Sequence, residues 1–492
     1  MILEKIFVGS LIFNSLPFLI FFPIVILLYF SISHKYRWIL LLIFSYYFYM
    51  SWKAEYGILL AVSTLVDYFA GRGMEKFKKK VIRKSILAFS LTSNLGLLFT
   101  FKYFNFVSES TRQVLSLFSM SFSQPVLNVI LPVGISFYTF QTMSYTIDVY
   151  REKIKAEKHL GIFAVYVSYF PQLVAGPIER ASNLLPQFRK KHYFNNALAS
   201  DGLKLMLWGF FKKIVIADRL AILVDAVYSN PYAYDGGPLI LATFFFAIQI
   251  YCDFSGYSDI AIGASQIMGI RLMDNFRRPY YSKSISEFWK RWHISLSTWF
   301  RDYLYIPLGG NKTKTKTKWY FNLFVVFLIS GLWHGAAWTF VIWGALHGSY
   351  LILGIITFNM REKFKKKIKL FNNKLFANSL SLAITFLLVC FAWIFFRANS
   401  VSDAIYIITH LTSNLTNRFS GSNLELDGLE IVIGIVAIMF MEIVHLIQEH
   451  KGMRHFLSKR PAWLRWIIYM VIILFILLFG IFTTKQFIYF QF

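Results

Sequence analysis

"WYFNLFVVFLISGLWHGAAWTFVIWGALHGSYLILGIITF", residues 319–358, contains two apolar arms joined by the turn "WHGAAW". Neither arm carries a charged residue, and lysine-rich stretches flank the pair, "NKTKTKTK" (311–318) before it and "REKFKKKIK" (361–369) after it. The arms read as two helices packed back to back. At about 1.5 Å per residue the first arm, 319–333, reaches about 22 Å, short of a hydrocarbon core of about 30 Å. The hairpin is therefore expected to enter and leave on one side, with its turn and His334 at membrane depth.

The rest of the chain has the same character. Of 492 residues 57% are hydrophobic and 19% aromatic, and apolar runs recur with only short polar breaks. A soluble chain of this length would divide into several cores joined by polar linkers. The reading is an all-α polytopic membrane protein of about eleven transmembrane helices, with residues 1–492 forming a single integral-membrane domain. The start, "MILEKIFVGSLIFNSLPFLIFFPIVILLYF", lacks a basic leader and a small-residue cleavage site, so it reads as a retained first span.

Lys and Arg number 51 against 25 Asp and Glu, a formal charge of +26. The surplus is parcelled into short breaks between apolar runs, as expected of cytoplasmic loops. No soluble basic domain exists to carry nucleic acid. Placing the basic breaks in the cytoplasm puts both termini outside. The two cysteines, Cys252 and Cys390, lie in apolar runs and act as small buried hydrophobes, which excludes a disulfide framework.

Three segments are not simple spans. Residues 161–178, "GIFAVYVSYFPQLVAGPI", have basic loops on both sides and contain Pro171 and Pro177, which suggests a re-entrant piece buried in protein. The segment 284–304, "SISEFWKRWHISLSTWFRDYL", mixes aromatics with charges and reads as an interfacial helix. The third is the hairpin itself. The run 126–149, by contrast, is expected to span.

Ionisable residues at membrane depth are functional candidates because their burial needs justification. His334 sits at a glycine-flanked turn beside Trp333; it is suited to act as a general base, or to bridge two helices by hydrogen bonds. His347 is expected to pack beside it. In a continuous helix Trp289, His293 and Leu296 would share one face, with Lys290 and Arg291 turned elsewhere. Asp253 and Tyr257 in "YCDFSGYSDIAIG", and Lys212, Lys213 and Asp218 in "GFFKKIVIADRL", form a further polar set for which charge pairing is the simpler reading, with Asp218 or Asp225 neutralising a lysine. Gln141 and Gln172 are expected to hydrogen-bond between helices. The histidines lack metal-ligand spacing, so no metal site is expected.

The long stretch "YCDFSGYSDIAIGASQIMGIRLMDNFRRPYYSKSISEFWKRWHISLSTWFRDYLYIPLGGN", followed by "SGLWHGAAWTFVIWGALHG", resembles the membrane-bound O-acyltransferase superfamily. Within it, the likeness is to bacterial alginate and peptidoglycan O-acetyltransferases. "YFPQLVAGPIERASNLLPQF", "GFFKKIVIADRLA" and the terminal "QFIYFQF" resemble the same branch. The resemblance implies a helical bundle around a central tunnel in the bacterial inner membrane. It implies His334 as the catalytic histidine and His293 as the second polar residue. It also implies a cytoplasmic acetyl-CoA donor, no bound cofactor, and an extracytoplasmic acceptor protein or glycan. Trp289, Lys290, Arg291, Arg301, Trp333, Asp253 and Tyr257 are the candidate substrate-binding residues. The cations among them would attract the phosphates of coenzyme A or contact lipid headgroups. D-alanyl transfer to teichoic acid and transport of a lipid-linked glycan remain as alternatives.

Overall fold

In the computed structural model, the described residues are 11–129, 131–174, 176–413, 428–450, 456–457, 459–482 and 487–488. The outermost residues of both termini, most of "QFIYFQF" and the stretch 414–427 lie outside them. Helices make up nearly all the regular structure. The long ones, numbered in chain order, are α1 (Leu16–Ser31), α2 (Arg37–Met50), α3 (Tyr56–Lys76), α4 (Lys80–Ser116) and α5 (Ile135–Tyr150). Next comes α6, a rod built of Asn196–Phe210, a π turn Phe211–Ala217 and Asp218–Ser229. The remainder are α7 (Gly237–Ile267), α8 (Lys316–His334), α9 (Trp338–Ile356), α10 (Lys374–Arg397), α11 (Gly428–His450) and α12 (Ala462–Phe479).

Among the described residues, α4, α7, α9, α10, α11 and α12 are long and apolar enough to cross a membrane. α1, with 16 residues, is apolar but shorter. Two expectations need correction. The run 126–149 is helical only from Ile135. Pro132 has no N–H to donate, and Gly134 adopts a left-handed backbone (φ +76°) within contact distance of Leu173 O, so the chain before α5 is irregular. The first hairpin arm is also longer than the apolar run. Thr315 caps it, its Oγ1 accepting from Lys318 N–H at 3.2 Å, and α8 has 19 residues. That is about 28 Å, so shortness no longer argues for a turn at mid-depth.

The described residues of 161–178 include the helix Leu160–Ser168 and a single turn Phe170–Leu173, separated at Tyr169, with Pro171 in the first positions of that turn. Phe163, Val165, Tyr166, Tyr169 and Phe170 are fully buried, in keeping with a segment enclosed by protein. Gln172 Nε2 donates to Gln141 Oε1 at 2.7 Å, and Gln141 Nε2 to Tyr166 O at 2.6 Å, tying the segment to α5.

The centre of the bundle is the antiparallel pair α6 and α7. Gly202 faces Gly263 and Gly209 faces Gly256, and a Cβ on any of the four would come within 2.5–2.8 Å of the opposing carbonyl oxygen. Small residues at seven-residue spacing let the two backbones touch, the usual solution where no hydrophobic drive separates helix from lipid. Charges are neutralised at the contact, within α6 and across to α7. Lys213 Nζ lies 2.9 Å from Asp218 Oδ1 and 2.7 Å from Asp253 Oδ1, and Lys212 Nζ lies 2.8 Å from Asp259 Oδ2. Asp218 thus answers a lysine, whereas Asp225 pairs with Arg397 at 2.9 Å. Gly256→Leu is expected to force the helices apart and cost at least about 1–3 kcal/mol. Thermal denaturation in detergent should show the loss, while Gly96→Leu, which faces open space, should leave the transition near that of the unaltered protein.

Candidate active site

His334 is the last residue of α8, which ends where Gly335 turns extended (φ −157°). A helix end leaves its final carbonyls without intrahelical donors. Here the donors come from the π turn Phe99–Tyr103 of α4. Tyr103 Oη donates to Leu332 O at 2.9 Å, and Lys102 Nζ donates to Trp333 O at 2.8 Å and His334 O at 3.0 Å. The buried imidazole of His334 is surrounded by aromatic rings set at steep angles to it: Trp333 at 5.0 Å, Trp343 at 4.9 Å and Phe396 at 5.4 Å between centroids.

His293 reaches the same place by a different route. The segment expected to be one interfacial helix is two short ones, Ile285–Arg291 and Ile294–Phe300, and His293 occupies the break with φ +42° and ψ 55°. This corrects the single helical face drawn through Trp289, His293 and Leu296. All three side chains are buried within the protein. A left-handed non-glycine residue is strained and persists only when its surroundings hold it. Asn275 does so: its carbonyl accepts from Ile294 N–H at 2.9 Å, and its Oδ1 accepts from Ser295 N–H at 3.3 Å. Because a backbone N–H faces that side-chain atom, the atom is the amide oxygen. His293 Nδ1, 3.1 Å from it, is then the protonated nitrogen and Nε2 the acceptor.

The two imidazoles lie 6.4 Å apart between centroids, and Trp333 is 6.0 Å from His293. Phe254 of α7 meets His293 edge-on at 4.6 Å. The rings are too far apart to bond directly, yet close enough for one hydroxyl oxygen to approach both. A pocket with about 30 Å³ of free volume opens at His334, bounded also by Trp333, Lys102 and the residues that begin α5. That is roughly the room one water takes.

The chain matches the model of MBOAT, the membrane-bound O-acyltransferase family, over residues 88–393. The chain belongs to this family. It is 38% identical over 452 residues to the probable alginate O-acetylase AlgI of Pseudomonas putida, covering 90% of this chain and 89% of that one. It is 39% identical over 457 residues to the same-named protein of Pseudomonas aeruginosa, covering 91% and 83%. It is 34% identical over 394 residues to a peptidoglycan O-acetyltransferase of Helicobacter pylori, covering 75% and 72%. The protein is thus a multi-pass membrane O-acyltransferase.

Of the candidate residues in this O-acyltransferase, His334, His293 and Trp333 come together. Trp289 instead donates its Nε1–H to His347 Nδ1 at 3.3 Å and belongs to the aromatic packing behind the pocket. Arg291 is paired with Glu287 at 2.8 Å and Glu449 at 3.2 Å. Arg301 is paired with Asp302 at 2.8 Å, which raises the guanidinium pKa above its ordinary value. Lys290 is exposed. Asp253 and Tyr257 join the Lys213 cluster, where Tyr257 stacks under the ammonium at 5.2 Å. Lys102 and Asn275 escaped the sequence reading. Lys102 had a signal, since a lysine inside the apolar "LLFTFKYFNF" is costly. Asn275 had none, because its role depends on a backbone break no pattern announces. Asn275→Ala is expected to lower turnover about 10- to 100-fold by releasing the ring orientation, in line with the loss of comparable orienting hydrogen bonds. Asn275→Asp, which keeps an acceptor oxygen, should lose less; a steady-state comparison of the two variants tests this.

Proposed function

We propose that the protein takes an acetyl group from cytoplasmic acetyl-CoA and passes it through the membrane for O-acetylation of an extracytoplasmic polysaccharide, by way of a partner protein. The observation that carries this is the meeting of His334 and His293 in one buried aromatic enclosure beside a water-sized pocket. His334 is the general base that takes the acceptor's hydroxyl proton, and His293 orients the reacting group through Nε2. Keeping bulk water out suppresses hydrolysis of the thioester. Trp333 lines the acyl site, and Lys290 offers an exposed cation to the nucleotide phosphates. Asp253 and Tyr257 support the site at one remove, by fixing the stretch of α7 that sets Phe254 against His293. The names of the relatives, alginate and peptidoglycan O-acetyltransferases, support a glycan as the final acceptor.

His334→Ala should lower acetyl-CoA turnover about 10²- to 10⁴-fold while the protein still elutes and melts as the unaltered one does. His293→Ala should also slow it. Retention of more than half the activity in the His334 variant would sink the assignment.

The donor side requires an orientation. We place the basic breaks in the cytoplasm, the membrane as the bacterial inner membrane, and both termini outside. In a background without Cys252 and Cys390, cysteines at Lys316 and Lys366 should resist an impermeant reagent added outside, and one at Ala233 should react. Labelling of Lys316 and Lys366 from opposite faces would remove the hairpin.

A further inference from the structure

Lys102 is a cation with no part in the chemistry so far. Its ammonium has three N–H donors, and two are spent on Trp333 O and His334 O. Among the described residues no carboxylate pairs with it. The same side chain lines the pocket together with His334 and the start of α5, where Gly134 caps the helix and Ile135 and Ser136 begin it. A helix start carries partial positive charge. The pocket wall therefore carries an imidazole, an ammonium and a helix start and, among the described residues, no acid. Helix capping alone does not ask for a lysine. Tyr103, the next residue, satisfies Leu332 O with a neutral hydroxyl. A partly buried ammonium held only by carbonyls is suited to receive negative charge when it appears.

We propose that Lys102 is the oxyanion-binding residue of the acyl transfer, its third N–H directed to the acyl carbonyl oxygen. This rests on His334 acting as the base. In the step, the His334 imidazole accepts the proton of the acceptor hydroxyl as that oxygen bonds to the thioester carbonyl carbon. The carbonyl electron pair moves onto its oxygen, beside the Lys102 ammonium. The pair then returns, the C–S bond breaks, and the thiolate leaves with the proton from the imidazolium. Lys102 gives up no proton in the step, and no redox partner is required.

The test uses the full-length purified protein in detergent with acetyl-CoA as donor and thiol release as readout. Lys102→Met should lower kcat about 10²- to 10³-fold, the loss typical of removing one oxyanion donor, with KM for acetyl-CoA within threefold. Lys102→Arg, which keeps the charge, should recover part of kcat. A Lys102→Met enzyme that turns over within threefold of the unaltered one overturns the assignment, as does a rise in KM with kcat unchanged. Where the Met variant does not elute and melt normally, Lys102→Gln, which keeps a neutral donor for Trp333 O, is read in its place. If none of the three variants folds, Lys102 is a helix cap alone and the assignment also falls. His334→Ala run in parallel separates the two failures. An active His334 variant removes the general-base reading and this proposal together, whereas an inactive one beside an active Lys102→Met removes this proposal alone.

Discussion

A helix that ends among apolar neighbours leaves carbonyl oxygens that water cannot reach, and the end of α8 is such a place. Leu332, Trp333 and His334 all present their oxygens to the π turn of α4, where Tyr103 and Lys102 answer them. Without those donors α8 would have to continue, and the turn that sets the His334 ring among Trp333, Trp343 and Phe396 could not form there. The histidine, the pocket and the cation beside it are consequences of one satisfied helix end.

His293 arrives under a different constraint. Its left-handed backbone is unfavourable in isolation and is retained because Asn275 binds the two residues that follow. The same amide oxygen accepts from Nδ1, so one side chain fixes both the backbone and the tautomer. Strain and chemistry are coupled there. The α6 and α7 contact supplies the rigid wall, since glycine-to-glycine packing and the Lys213 cluster hold Phe254 in place against the ring.

Much of this was legible in the amino-acid order. Apolar length read correctly as a helical membrane protein, and the "WHGAAW" turn read correctly as the break between two helices. Residues 126–149 misled because hydropathy cannot see that Pro132 and Gly134 stop a helix in an otherwise apolar run. The break at His293 was hidden because "FWKRWHISLSTWF" has good helix-forming residues on both sides. Only tertiary hydrogen bonds to Asn275 make it worthwhile to interrupt them. Lys290, Arg291 and Arg301 looked alike as cations, yet the distant Glu449 claims Arg291 and the adjacent Asp302 claims Arg301.

The π turns have a consequence of another kind. Among the described residues they occur at Phe99–Tyr103, Phe211–Ala217 and Arg301–Tyr305, and each contains charged side chains. A π turn holds about one residue more than an α turn. Losing a single residue from Phe99–Tyr103 would restore ordinary helix with its flanks near their register, but it would remove the wide turn that brings Lys102 and Tyr103 to the end of α8. Substitutions there can be graded, but insertions and deletions cannot. In related chains, length should therefore vary in the loops while these three turns keep their residue count, so that alignment gaps report on the architecture independently of residue identity.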